Sequence, residues 1–225
     1  MSTNERDEIG EDLPPDYISS VRPGGFYGWP WYYIGNHQDP RHKGKHPELA
    51  DKVIVPDVLV EAHSASLNLC FYTGDQFPSE YKGDIFAAFH GSWNRMKRTG
   101  YKVVRAPFDK STGKARGEYE DFVTGFVTPD GKVWGRPVGI TVAKDGSLLI
   151  SEDGDKTIWR VSYSSTAIVA VSVERASCPH APIAGRFCET PVQISWRLAQ
   201  TPYSSGSSQR VTLVIATHED WFRSD

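Results

Sequence analysis

Between residues 53 and 163 the chain is cut into short apolar runs separated by Gly, Pro, Asp and Asn: 53–55, 67–72, 85–89, 101–106, 122–127, 138–142, 148–150 and 158–163. Segments this short, bounded by turn formers and without a helical period, predict strands and an all-β fold. Two stretches also repeat one another. Gly83-Asp84-Ile85-Phe86-Ala87-Ala88 followed by Tyr101-Lys102-Val103-Val104-Arg105 has the order of Gly146-Ser147-Leu148-Leu149-Ile150-Ser151 followed by Thr157-Ile158-Trp159-Arg160-Val161. Each unit reads as a strand, a polar loop and a strand carrying an arginine. Repeats of roughly 40 to 60 residues built only of strands predict propeller blades, with a sandwich as the alternative.

The chain of 225 residues is long enough for one substantial core or two small ones. Its net charge of -3 gives no general attraction to nucleic acid or to anionic membranes. No apolar run approaches the roughly 20 residues that span a bilayer. The polar start Met1-Ser2-Thr3-Asn4-Glu5-Arg6-Asp7 is not a secretory signal, although a processed or truncated start stays open. Cys70, Cys178 and Cys188 leave at least one thiol unpaired and match no zinc or haem spacing. After residue 164 the character changes: no lysine follows Lys156, and serine-rich stretches replace the repeat. Two segments are therefore expected, 1–164 and 165–225, the second being either a small added domain or sequence unrelated to the first. Within it, residues 169–173 and 210–215 read as possible strands.

Candidate chemistry concentrates in Phe89-His90-Gly91-Ser92-Trp93-Asn94-Arg95, which follows the apolar strand ending at Phe89. An imidazole, an indole, an amide and a guanidinium in one loop suit a flat ligand with anionic oxygens, or simply a turn whose arginine meets a carboxylate. The acidic stretch Glu11-Asp12-Leu13-Pro14-Pro15-Asp16 reads either as a hard-cation loop or as a solvated one. Gly24-Gly25-Phe26-Tyr27-Gly28-Trp29-Pro30-Trp31-Tyr32-Tyr33 is a ligand wall or a core corner. His37, His42 and His46 fall in an expected exposed loop without metal-ligand spacing.

Several motifs in order carry a family resemblance. Asn4-Glu5-Arg6-Asp7, Leu13-Pro14-Pro15-Asp16-Tyr17, Gly24-Gly25-Phe26-Tyr27-Gly28-Trp29-Pro30, His63-Ser64-Ala65-Ser66, Phe71-Tyr72-Thr73-Gly74, His90-Gly91-Ser92-Trp93-Asn94-Arg95 and Gly135-Arg136-Pro137-Val138-Gly139 together resemble the C-terminal half of the glucose/sorbosone dehydrogenase family. The resemblance spans roughly residues 2 to 163. It implies a partial six-bladed β-propeller followed by an atypical C-terminal extension. It further implies pyrroloquinoline quinone and calcium as cofactors, and oxidation of the anomeric carbon of an aldose or aldehyde sugar by hydride transfer to the quinone.

Carried over by position, Arg136 resembles an arginine that pairs with cofactor carboxylates. Arg95 lies near a cofactor-binding lysine, with Lys97 as its alternative, and His63 lines the cofactor's face. Tyr27 resembles a residue beside the calcium site, Glu5 and Arg6 loosely match main-chain calcium ligands, and Tyr17 stands where some relatives have a ligating glutamate. The family's catalytic histidine and substrate-orienting arginine lie in earlier blades. No residue of this chain inherits their roles, so the expectation is a half-site that is inactive alone. Open strand edges lead to an expectation of self-association, and the family places the parental protein in the periplasm. A different class of function is a non-catalytic propeller module that binds a carbohydrate or a partner protein through Trp29, Trp31, Tyr32, Trp93 and Trp134.

Overall fold

In a computed structural model of the chain, the described residues are 1–163, 169–174, 176–177 and 211–216. Strands dominate, and helix among the described residues is confined to three 3₁₀ segments at Pro40–His42, Pro47–Lys52 and Ser79–Tyr81. None is long and apolar enough to cross a membrane.

The first sheet is built from very short strands: β1 (Ser2–Thr3), β2 (Tyr17–Ile18) and, beyond the small hairpin β3 (Tyr32–Tyr33) and β4 (His37–Gln38), β5 (Val58–Leu59). The second is an antiparallel four-stranded meander of β6 (Ser66–Phe71), β7 (Ile85–Phe89) and β8 (Lys102–Ala106), then the hairpin β9 (Phe108–Asp109) and β10 (Lys114–Ala115), then β11 (Glu120–Val123). The third follows the same course through β12 (Pro137–Val142), β13 (Leu148–Glu152) and β14 (Thr157–Val161). Beyond these lie β15 (Val169–Glu174), β16 (Ala176–Ser177) and β17 (Val211–Ala216). β16 adds a fourth strand to the third sheet, and β15 pairs in parallel with β17. The rest of 165–225, including Cys178 and Cys188, lies outside the described residues.

The repeated sequence unit occupies the second and third strands of two consecutive sheets, β7–β8 and β13–β14. The first strands of all three sheets, β1, β6 and β12, neighbour one another, as the inner strands of propeller blades do. The all-β, blade-like architecture expected from the sequence is therefore present.

Burial explains the apolar runs. In β7 every residue is buried, because alternate side chains enter two different cores. Ile85, Ala87 and Phe89 pack with Ile18, Val58 and Val60 of the first sheet's side. Phe86 and Ala88 pack with Tyr72, Phe122, Leu148 and Ile150 toward the third sheet. Each repeat arginine closes on an aspartate that precedes the neighbouring strand. Arg105 meets Asp84 at 2.6 Å and Glu120 at 2.7 Å under the ring of Tyr81, and Arg160 meets Asp145. Cys70 is a half-buried free thiol whose pKa burial pushes up to about 11, so it is a packing residue rather than a nucleophile.

Two expectations differ from the structure. Residues 53–55 form no strand: they leave a 3₁₀ segment in extended conformation, joined to the aromatic stretch by a single bridge between Phe26 and Val53. The run at 122–127 is a strand only to Val123, after which Val127 makes an isolated bridge to Val133.

Candidate functional site

The strand β7 ends at Phe89, and the loop that follows is pressed against the turn before β6. His90 N donates to Ala65 O and Gly91 N to Ser64 O, both at 2.9 Å. That turn holds His63 and Ala65 at positive φ, 64° and 53°, a conformation that non-glycine residues keep only when their surroundings enforce it. The enforcement comes from Asp16, which is buried and accepts Glu5 N at 2.7 Å and Ala65 N at 2.6 Å. Burial outweighs these two hydrogen bonds and pushes the Asp16 carboxyl up to about 6. Backbone packs so closely here that Gly100, at φ 75°, has room for no side chain: a Cβ would lie 2.6 Å from Ser64 O.

Around this turn the acidic stretch closes over the loop. Asp7 Oδ1 receives His63 Nδ1 at 3.0 Å and Asn94 Nδ2 at 2.7 Å. Arg95 Nη2 donates to Asp12 at 2.5 Å and its Nη1 to Ala62 O at 3.3 Å, while Glu11 accepts Met96 N at 3.0 Å. The carboxylates of residues 7–12 thus clasp the 90–96 loop. The second ring nitrogen of His63 lies 2.8 Å from Gly10 O. A carbonyl oxygen can only accept, so Nε2 carries a hydrogen, and Nδ1 faces a carboxylate. His63 has no nitrogen free to take a proton from a substrate.

Arg136 reaches the same loop from the third sheet. Its Nε donates to His90 O at 3.3 Å and its Nη2 to Gly91 O at 3.1 Å, with the guanidinium 5.7 Å from the Tyr101 ring centroid. Its own backbone N–H is held by Glu152, a buried carboxylate that also accepts from Asp155 N and Thr157 N. No carboxylate pairs with the Arg136 guanidinium among the described residues. His90 Nε2 lies 2.9 Å from Asp153.

The structure therefore brings His63, Arg95 and Arg136 around one loop. The side chains of Glu5, Arg6 and Tyr27 are engaged by protein partners; Glu5 and Arg6 are expected to meet calcium through main-chain oxygens. The Arg6 guanidinium is buried against Asp39, Pro30 O and Tyr32 O. Glu5 lies against its neighbour Arg6, and the Tyr27 hydroxyl donates to Ser20 O at 2.5 Å. Among the described residues no group of three or more His, Cys, Asp or Glu side chains is placed to hold a metal ion. These side chains do not fit calcium as they stand. The residues toward a quinone do fit: Arg136 is a fixed cation without an anion, and Asn94 Oδ1 and Arg95 Nε are buried without a partner among the described residues. Sequence reasoning quoted Asp7 and Asp16 only inside motifs and did not single out Glu152 or Asp153; their bonds to His63, Asn94, Ala65, Arg136 and His90 span 16 to 87 residues.

Blade-like sheets whose first strands lie side by side define a propeller-type domain. More particularly, the chain belongs to the TrAA12-like family, whose model matches residues 36–164. A protein of Borreliella burgdorferi without an assigned function is 36% identical over 165 residues, 72% of this chain and 43% of that one. A pyrroloquinoline quinone-dependent pyranose dehydrogenase of Coprinopsis cinerea is 28% identical over 132 residues, 52% of this chain and 17% of that one. The calcium structure of the Trichoderma reesei family AA12 carbohydrate-active enzyme shares the fold, with a TM-score of 0.54 at 21% identity over 69% of this chain and 44% of that one. The chain thus spans less than half the length of these relatives.

Proposed function

We propose that this chain is part of a quinoprotein sugar dehydrogenase, in which Arg136 and Arg95 hold the carboxylates of pyrroloquinoline quinone and His63 borders its face. The observation that carries this reading is the state of Arg136. Two carbonyls fix its guanidinium, Glu152 fixes its backbone, and no carboxylate among the described residues matches its charge. A rigid, unmatched guanidinium suits a planar tricarboxylate better than it suits a structural role. Similarity to the pyranose dehydrogenase supports the same class of reaction.

When bound, the quinone supplies the two-electron acceptor for hydride from the anomeric carbon of an aldose or aldehyde sugar. The chain's own residues bind and orient. His63 supplies no base, because both of its ring nitrogens face oxygen acceptors.

The test is titration of the purified chain with pyrroloquinoline quinone, read by thermal shift and tryptophan quenching. A ligand that binds only the folded state raises the melting temperature in a saturable way. The expected result is such a shift, lost in Arg136→Ala. A folded sample that shows no shift would overturn the proposal.

A further inference from the structure

Between Pro40 and Pro47 the chain carries Arg41, Lys43 and Lys45 and no carboxylate, in a protein whose net charge is -3. Like charges in a short exposed run repel one another, yet this run is held in one shape from inside. The Gln38 side chain bridges its tip: Oε1 accepts Gly44 N at 2.8 Å and Nε2 donates to Lys45 O at 2.9 Å. Lys45 N donates to His42 O at 3.0 Å, and the Tyr32 hydroxyl donates to His46 O at 3.0 Å. Trp31 braces both imidazoles, with ring centroids 4.8 Å from His42 and 4.3 Å from His46. Lys43 and Lys45 therefore leave a fixed backbone on either side of Gly44.

Their charges are not taken up by the protein. Both lysines are exposed, and neither makes an ion pair among the described residues. Arg41 shares the buried Asp39 with Arg6. The imidazole of His42 feels the result: burial lowers its pKa first, and Lys45, Arg6 and Arg41 lower it further.

We infer that the loop from Pro40 to Pro47 is an anchoring surface for a polyanionic glycan, a flexible chain of uronate or sulfated sugars whose anions meet Lys43, Lys45 and Arg41. Other polyanions fit less well. A nucleic-acid duplex or an anionic membrane is broad and would also meet the acidic N-terminal stretch, since Glu8 lies 3.8 Å from Arg41. Single-stranded nucleic acid needs open aromatic faces for its bases, and Trp31 is already packed between two imidazoles. An acidic peptide that adds as a strand needs free amides, and those of Arg41, His42, Gly44 and Lys45 are donated within residues 38–45. A glycan needs only the charges, each carboxylate or sulfate accepting from a fixed cation. This surface uses neither Arg136 nor a bound quinone, so its success or failure is separate from that of the proposed cofactor site.

The test is calorimetry of the full chain, without quinone, using octagalacturonic acid, a heparin octasaccharide and neutral maltooctaose as probes. At least one anionic octasaccharide is expected to bind saturably and more weakly as salt rises, with no binding of maltooctaose. The double variant Lys43→Gln/Lys45→Gln is expected to weaken that binding about tenfold at an unchanged melting temperature, because both side chains are exposed. Lys110→Gln/Lys114→Gln removes the same charge from exposed lysines of the β9–β10 hairpin and is expected to keep wild-type affinity. In the complex, the His42 titration followed by NMR is expected to move to higher pH, since bound anions offset the cations that lower it. No saturable binding of either anionic octasaccharide, or equal loss in the two double variants, would overturn the inference. So would a single-stranded DNA oligonucleotide, polyglutamate or phosphatidylserine vesicles binding as tightly as the anionic sugars.

Discussion

Asp16 accepts the Ala65 amide at 2.6 Å across 49 residues, and this bond holds the turn on which His63 sits. The same carboxylate accepts Glu5 N, so it fastens the start of the acidic loop as well. Because burial raises the folded-state pKa of Asp16 to about 6, the folded chain binds this proton more tightly than the unfolded chain does. The contribution is fully present below the ordinary carboxylate range and is lost as pH rises through about 6. Raising the Asp16 carboxyl from the ordinary carboxylate range to about 6 corresponds to roughly 3 kcal/mol. Wild type is therefore expected to gain stability relative to Asp16→Asn as pH falls from 7 to 4. Urea unfolding of both proteins at pH 4, 5, 6 and 7 checks this, and a difference that stays flat across the series would count against it.

The two repeat arginines are not equivalent. Arg105 and Asp84 are both buried, so Arg105→Ala leaves an uncompensated carboxylate in the core. The expected loss is about 3–5 kcal/mol. The Arg160–Asp145 pair is much more exposed, and Arg160→Ala is expected to cost less than about 1 kcal/mol. Chemical denaturation of the two variants separates these values, and similar losses in both would show that burial does not set the difference.

What was legible in the sequence follows from how locally each feature is encoded. β7 could be read directly, since five consecutive buried apolar residues next to Gly83 leave no alternative to a strand covered on both faces. The repeat was legible because β7–β8 and β13–β14 use the same local order. The first sheet was not, as strands of two residues such as Tyr17–Ile18 leave no period to detect. In the candidate site, the 90–95 loop announced itself by composition, and Arg136 and His63 came through family resemblance. The roles of Asp7 and Asp16 were not legible, because the bonds to His63, Asn94 and Ala65 span 49 to 87 residues and no local pattern records such pairings. In the acidic stretch Glu11–Asp16, open between a cation loop and a solvated loop, Glu11 accepts the Met96 amide and Asp12 pairs with Arg95 while both stay exposed.

Calcium removal tests the cation reading directly. With no cage of carboxylate and imidazole groups among the described residues, and with the side chains of Glu5, Arg6 and Tyr27 engaged by protein partners, the free chain has no side-chain set to retain the ion. An excess of EDTA is expected to leave its melting temperature unchanged. A fall of several degrees that calcium restores would mean that main-chain oxygens of the N-terminal loop bind the ion.

Glu152 decides whether Arg136 is a fixed cation or a mobile one. Its two oxygens accept from Arg136 N, Asp155 N and Thr157 N, and Oε1 also meets the Thr157 hydroxyl. An amide of the same shape has only one accepting oxygen, so Glu152→Gln sets an NH₂ group against backbone donors. Leaving buried donors unpaired costs about 1–3 kcal/mol, and the turn at 152–157 should loosen with the Arg136 backbone. The guanidinium keeps its charge in this variant, but its placement toward His90 O and Gly91 O is no longer enforced from the backbone side. Quinone affinity in Glu152→Gln is therefore expected to fall about tenfold, less than in Arg136→Ala. Titration of both variants by tryptophan quenching distinguishes lost charge from lost placement: equal loss in the two would make Glu152 as necessary as the guanidinium itself, and wild-type affinity in Glu152→Gln would show that the two carbonyls suffice to hold Arg136.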